Sequence, residues 1–345
     1  MQERRAGVLR SSLILLNDVC LRSVLSEQIK FGPSDEACEV LGSVCALAGT
    51  SKLSALKFSQ EPFVPELPEV ETMVRGVRPF VEGRTIRELV ACDCPCKPLN
   101  YRPQLSEIAA RMSGQKITAV KRRAKRAILE LESGDALVIE PRMTGLLLLS
   151  DPPDPGHLRL EWKLSGKRQF NSLWFWDRRG LGTVTLYENA EYQSLVAEGY
   201  LGRDALEMVA GDWAEKVAKS RRAIKVLLLD QSVAAGIGNL YASEILHFSR
   251  IHPETPADSL SRSQINLLAQ AVKEILETAI LHEGSTLSDG TYRNALNQSG
   301  GYQNAHKVYD RAGEVCRTCQ VGVVERIVQT QRSTFFCAKC QRKKR

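Results

Sequence analysis

Val64-Pro65-Glu66-Leu67-Pro68-Glu69-Val70-Glu71 is the stretch on which the reading of this chain turns. Beyond it, Val70, Met73, Val74, Val77 and Phe80 recur at helical spacing, so a helix is expected from Pro68 to Phe80, with Glu69 and Glu71 in the first turn where the helix dipole favours acids. By itself Pro65-Glu66 fits a proline-started helix with an acidic first turn. It also fits a second chemistry. An internal proline nitrogen is a tertiary amide without a nucleophilic lone pair, whereas an N-terminal proline is a secondary amine that sheds its proton near pH ~8 and can attack carbon. Motif and position conflict unless the working chain starts at Val64, a GTG start codon decoded as formyl-methionine and then trimmed to free Pro65. Residues 1–64, mixed in periodicity and Ser-rich at the start, are accordingly expected to be untranslated or disordered.

The 345 residues carry a net charge of +7 that is unevenly placed. Residues 1–64 hold 7 basic and 7 acidic side chains, leaving 40 against 33 for the remainder, including the tail Gln341-Arg342-Lys343-Lys344-Arg345. A modest basic excess of this kind suits a polyanionic partner without requiring one. The apolar run Leu13–Leu16 is broken by Asn17 and Asp18 and is too short for a secretory signal. No stretch approaches the ~18 apolar residues of a membrane span. The 10 cysteines are therefore read as reduced thiols, either metal ligands or ordinary core residues.

From Thr85 to Tyr187 the texture is short and β-rich, with strands expected over 85–92, 116–121, 127–131, 136–139, 158–164, 170–175 and 183–187. Strands this short, with turn signals between them, point to a β-sandwich. Helical spacing takes over in Arg222–Leu229, Leu240–Phe248 and Ser263–Leu281, around the turn Ala235-Gly236-Ile237-Gly238-Asn239. A Gly-rich segment, Gly284–Gln303, leads into Cys316-x2-Cys319-x17-Cys337-x2-Cys340. That spacing is a four-thiolate zinc signature, a closed and hence structural shell, holding a hairpin whose tip lies near Arg332. The sulfurs of Cys92, Cys94 and Cys96 are too tightly spaced to share such a shell easily and are read as a plain loop. The fold class is α+β: an N-terminal helix and β-sandwich (65–195), a helical domain (200–300) and a zinc finger (301–345).

Four stretches together resemble the formamidopyrimidine-DNA glycosylase and endonuclease VIII family. They are the Pro65-Glu66 start, Lys121-Arg122-Arg123-Ala124-Lys125, Asp230–Glu244 (DQSVAAGIGNLYASE) and Gln331-Arg332-Ser333-Thr334-Phe335-Phe336-Cys337. The resemblance runs from Pro65 to Gln341. It implies a helix-two-turn-helix DNA-binding unit and a bifunctional glycosylase and abasic-site lyase acting on oxidised bases in double-stranded DNA. It further implies one structural zinc ion and a monomer in the bacterial cytoplasm.

Residue by residue, the resemblance makes Pro65 the nucleophile, Glu66 the adjacent acid and base, and Lys125 and Arg332 the cations on the phosphates beside the lesion. Asn239, whose plain role is N-cap of its helix, joins them at the phosphates, and Lys225 is assigned to DNA. A base inside a duplex must be flipped out and its place plugged. Met143 and Arg179 match the first two plugging residues of formamidopyrimidine-DNA glycosylases, while Leu181 stands where that branch has Phe. Leu67 favours the purine-specific branch, because a Gly typically follows Pro-Glu in the endonuclease VIII branch. The segment Ser285–Gln303 departs from the commonest purine pattern and keeps oxidised pyrimidines open as an alternative. A non-catalytic damage-binding protein is the rival if Pro65 stays inside the chain.

Overall fold

The computed structural model describes residues 64–166 and 168–343, so the expectation for 1–63 and the last two residues of the basic tail fall outside the described residues. In chain order the first half comprises α1 (Leu67–Val81), β1 (Ile86–Ala91), β2 (Asn100–Arg102), α2 (Leu105–Met112), β3 (Ile117–Arg123), β4 (Arg126–Leu131) and β5 (Ala136–Glu140). It continues with β6 (Gly145–Leu148), β7 (Leu158–Leu164), β8 (Ser172–Asp177), β9 (Thr183–Tyr187) and α3 (Asn189–Glu198). One sheet runs β1-β7-β8-β6 and the other β2-β9-β5-β4-β3. All pairings within them are antiparallel except β2 with β9. Their inward side chains, among them Leu129, Ile139, Leu160, Trp162, Phe175 and Val184, form one core.

Helix α1 places Pro68 in its first turn, where a missing N–H costs no hydrogen bond, and buries Val70, Met73, Val74, Val77 and Val81. Strand β6 was not expected from the sequence. Its four residues are all buried, so the inside-outside alternation that marks a half-exposed strand is absent. The short amphipathic α2, burying only Ile108 and Met112, likewise interrupts what reads as unbroken β texture.

The second half comprises β10 (Arg203–Asp204), α4 (Ala210–Ala218), α5 (Ile224–Leu228), β11 (Ala234–Ala235), α6 (Asn239–Phe248), α7 (Arg262–Leu281), β12 (Val324–Gln329) and β13 (Arg332–Cys337). Helix α7 starts with a capping box in which Ser261 and Gln264 exchange side-chain and backbone hydrogen bonds. The buried carboxylate of Glu244 in α6 accepts the backbone N–H groups of Lys307, Val308 and Tyr309 at 2.8–3.0 Å, tying the helical domain to the cysteine module. Strands β12 and β13 pair from Val324 with Cys337 to Gln329 with Arg332, joined by Thr330 and Gln331 at φ 47° and 62°. Two left-handed residues in succession define the tight hairpin turn that places Arg332 at the tip.

Two glycines let the helical domain close against the start of α1. Gly236 has φ 111°, and a Cβ there would lie 2.5 Å from Leu67 Cδ1, while its carbonyl accepts the Leu67 N–H at 3.1 Å. Gly236→Ala is expected to destabilise the protein by about 2–4 kcal/mol, combining a forbidden φ with a core clash. Urea unfolding checks this, and a loss below about 0.5 kcal/mol would show that the contact is not tight.

Candidate active site and nucleic-acid interface

Glu66 is buried at the N-terminal end of α1. Its Oε2 accepts the N–H of Gly238 at 2.5 Å and its Oε1 accepts that of Leu240 at 2.9 Å. The carboxylate thus caps α6 from another element, meeting the orphan amides and positive dipole end of that helix. This corrects the expectation that Asn239 caps α6: Gly238 is the N-cap residue and Asn239 the first residue of the helix. Gly238 must lack a side chain, because a Cβ would sit 2.3 Å from Glu66 Cδ. Burial pushes the Glu66 carboxyl up from its ordinary range, opposed by Lys125 and by the amides of α6.

Glu69, one turn on, is fully buried as well. Its Oε1 accepts the Tyr241 hydroxyl at 2.6 Å and the Ser285 N–H at 2.9 Å, and its Oε2 accepts the Glu66 N–H at 2.9 Å. One side chain therefore joins α1, α6 and the Gly-rich segment. Burial, reinforced by the neighbouring Glu66 charge, raises its pKa to about 7. The sequence accounts for Glu69 only as a first-turn acid favoured by the helix dipole. Only the i, i+3 spacing from Glu66 hinted otherwise.

Lys125 sits in the two-residue connection between β3 and β4 and is half-buried. Pro65, Lys125, Arg126, Glu140, Arg142 and Gln231 line one cavity of about 210 Å³. Burial lowers the Lys125 pKa; the nearby carboxylates of Glu66 and Glu69 oppose that, and Arg332 adds to it. These couplings bring Glu66, Lys125 and Arg332 from three separate elements into one electrostatic unit.

Lys225 has no exposed surface. Its Nζ donates to Asn239 Oδ1 at 2.8 Å, Ser333 O at 2.8 Å and Thr334 Oγ1 at 2.7 Å. The assignment of Lys225 to direct DNA contact gives way to a positioning role, since an ammonium group satisfied by protein on every proton has nothing left for a phosphate. It fastens Asn239 at the start of α6 to the strand that begins at Arg332.

Met143 is half-buried in the turn between β5 and β6, and exposed Arg179 and half-buried Leu181 lie in the loop between β8 and β9. Buried Asp177 joins the two loops. Its carboxylate accepts the Thr144 hydroxyl, the Arg179 N–H at 3.1 Å and the Gly182 N–H at 2.8 Å, and the Arg179 N–H also reaches Thr144 Oγ1 at 3.0 Å. Arg178 Nη2 donates to Thr291 Oγ1 at 2.7 Å, linking the same loop to the Gly-rich segment. The Thr144–Asp177 tie was not read from the sequence, because it depends on strands β6 and β8 lying side by side.

The sulfurs of Cys316, Cys319, Cys337 and Cys340 all lie within 4.8 Å of one another, with Cys316 to Cys340 at 3.9 Å and Cys319 to Cys337 at 3.8 Å. A tetrahedral thiolate shell at a metal–sulfur distance of ~2.3 Å has edges of about 3.8 Å, so the four residues fit one metal ion. The N–H groups of Gly322 and Val321 hold the Cys319 thiol down at about 6, while burial pushes Cys337 and Cys340 up, a cost that a cation among the sulfurs removes. The thiols of Cys94 and Cys96 stand apart, directed at the Gly156 carbonyl at 3.0 and 3.6 Å.

Two cations from separate elements, Lys125 and Arg332, are thus coupled to one another, and Lys125 to a buried acid that follows a proline. The chain matches the Formamidopyrimidine-DNA glycosylase N-terminal domain over residues 64–184 and the Formamidopyrimidine-DNA glycosylase H2TH domain over 201–291. It is 41% identical to the formamidopyrimidine-DNA glycosylase of Chloroflexus aurantiacus over 280 residues, covering 81% of this chain and 98% of that protein. The crystal structure of the MutM (Fpg) protein from Thermus thermophilus superposes with a TM-score of 0.70 at 38% identity, covering 80% of this chain and 98% of that one. The Lactococcus lactis Fpg bound to abasic-site DNA gives 0.71 at 31% identity, covering 81% and 100%. This chain belongs to the formamidopyrimidine-DNA glycosylase family.

The Glu69 environment generates a pH prediction. A carboxyl whose folded pKa lies above its unfolded value favours the folded state when protonated, so its contribution is present below pH ~4.5 and is lost as pH rises to 7. Relative to Glu69→Gln, which stays neutral, the parent is expected to lose stability on the order of 3 kcal/mol across that window. Urea midpoints of both proteins from pH 4 to 8 measure it, and a constant difference would mean that folding leaves the Glu69 pKa unshifted.

Proposed function

We propose that the chain is a bifunctional DNA glycosylase and abasic-site lyase that excises oxidised purines, with Pro65 as nucleophile once its nitrogen is free. The observation that carries this is the convergence of Pro65, Glu66, Lys125 and Arg332 at one end of α1. The proline amine attacks C1′ of the damaged nucleotide, the bond to the base breaks, and the sugar ring opens to an iminium. That cation acidifies the C2′ proton, and successive eliminations expel the 3′ and then the 5′ phosphate. Glu66, its pKa raised by burial, holds and delivers protons at the atoms beside Pro65. Lys125 and Arg332 bind the flanking phosphates, and Asn239 contacts the backbone from the start of α6.

Met143, Arg179 and Leu181 fill the gap left by the flipped nucleotide. The Asp177–Thr144 tie supports this reading, because it makes two loops move as one wedge. Leu67 and the Met143–Arg179 pair favour purines, and a relative from Lactococcus lactis has been crystallised with Fapy-dG containing DNA. One zinc ion in the Cys316, Cys319, Cys337 and Cys340 shell holds the hairpin that presents Arg332. The work is done on chromosomal double-stranded DNA in the bacterial cytoplasm, by a monomer. Division at 65–195, 200–300 and 301–345 matches these tasks: chemistry, DNA docking and the clamp.

Protein beginning at Pro65 is expected to form a borohydride-trapped covalent complex with duplex DNA containing 8-oxoguanine or an abasic site. A form of verified mass that retains residues 1–64 is expected not to, because acylation removes the nucleophile. Equal trapping by both forms, seen by denaturing gel and intact mass, overturns Pro65 as the attacking group. A second expectation concerns the clamp. Arg332→Ala should lower the log-log salt dependence of DNA binding by about one unit, the loss of a single phosphate contact. Fluorescence anisotropy between 50 and 200 mM salt reads the slope, and an unchanged slope removes Arg332 from the interface.

A further inference from the structure

The β3–β4 connection that carries Lys125 includes a backbone conformation its residues disfavour. Ala124 has φ 55°, a left-handed conformation that a non-glycine residue adopts only when its surroundings hold it there. Two side chains outside the site already described bracket that residue, and a third holds one of them. Asp204 Oδ2 accepts the Ala124 N–H at 3.0 Å, and the Ala124 carbonyl accepts from Arg122 Nη1 at 3.1 Å. Arg122 in turn donates through Nη1 and Nη2 to both Asp204 oxygens and through Nε to Glu71 Oε2 at 2.7 Å. The side chains of Arg122, Asp204 and Glu71 are 9%, 9% and 13% exposed, so these charges are shielded from solvent and hold one geometry.

The three partners come from the three elements that build the site. Glu71 lies on α1, within two turns of Pro65. Asp204 lies on β10, paired with Ala235, the residue immediately before the Gly236-Ile237-Gly238 turn that receives Leu67 and Glu66. Asp204 is fixed in its own right by the Leu206 N–H at 3.2 Å. A shift of the β3–β4 turn relative to α1 or to the glycine turn would break part of this set.

We propose that Arg122 and Asp204 are positioning residues: by bracketing both backbone polar groups of Ala124 they hold the left-handed turn and thereby aim Lys125 into the cavity it shares with Pro65. This deepens the reading of Lys125 as a phosphate-binding group and rests on it. The carboxylate of Asp204 reaches the reaction only through the turn.

The test compares the parent with Asp204→Asn, Ala124→Gly and the double variant. Glycine adopts the left-handed region without strain, so it should lift the need for the bracket. Single-turnover excision and borohydride trapping are measured on protein beginning at Pro65. The Lys125 pKa is measured by NMR of 13C-dimethylated lysines on the full 345-residue chain, with Lys125→Arg assigning the signal. Asp204→Asn is expected to slow excision at least tenfold. It should also raise the Lys125 pKa by about one unit as the ammonium moves out to water. Simple loss of the Asp204 charge through space would lower that pKa, so the sign separates displacement from electrostatics. Adding Ala124→Gly should recover a threefold or greater part of the rate.

If the rate falls with no change in the Lys125 pKa and no recovery by glycine, Asp204 merely joins the domains and the proposal fails. If Asp204→Asn shows no cooperative unfolding, Arg122→Lys takes its place. That variant keeps the charge but loses the fork, and it is judged by the same pKa shift and glycine rescue. Should the parent itself neither excise nor trap, the enzymatic reading fails, and the Lys125 pKa alone still decides whether Asp204 sets the turn.

Discussion

The carboxylate of Glu66 inserted at the N-terminus of α6 is the contact on which the remaining structure depends. Two hydrogen bonds from Gly238 and Leu240 hold it where the helix dipole is positive, and Gly238 has no Cβ because the carboxylate occupies that space. A buried carboxylate is costly unless it is hydrogen-bonded or paired. Here the amides of α6 stabilise its anion, burial favours its neutral form, and the balance leaves the pKa raised. The cap also locks the start of α1, and hence Pro65, against the helical domain. The cap of α6 and the docking of α1 are one interaction.

Around that contact the molecule uses buried polar side chains as fasteners between elements far apart in sequence. Glu69 joins α1 to Tyr241 and Ser285, Lys225 joins α5 to Asn239 and β13, Glu244 joins α6 to the cysteine module, and Asp177 joins two loops. Each is satisfied on nearly all its hydrogen-bonding capacity. Leaving such a group unpaired in the interior costs about 1–3 kcal/mol or more. The arrangement is therefore specific: one wrong docking angle would strand several of these groups at once. Arg332 and Arg179, proposed for the phosphate clamp and the gap-filling wedge, remain exposed on the frame so made.

Much of the frame was legible because it follows from local periodicity and spacing. The expected boundaries of β7 and β9 agree with the observed ones, and α6 and α7 are each off by one residue at the start. The four cysteines were identified by spacing alone. What was missed has a common cause. Strand β6 is buried throughout and lacks alternation, and α2 is too short to rise above the β texture around it. Asn239 was read as a cap because Asn favours that place in isolation. The cap came instead from Glu66, 173 positions earlier in the chain.

The sequence by itself determined the chemistry available: a proline that can become an amine, an adjacent acid, a four-thiolate shell, and lysines and arginines in motifs that mark the family. Those are properties of residue type and short-range spacing. Only the tertiary structure decided which charges act and which merely support. Lys225 and Lys125 are both lysines that the family resemblance assigns to DNA, yet one is consumed by three protein acceptors and the other faces the cavity beside Pro65. Glu69 and Glu71 sit two residues apart on α1, yet one is buried against Tyr241 and the other pairs with Arg122. Burial and pairing depend on which distant element lies opposite, and no local pattern encodes that.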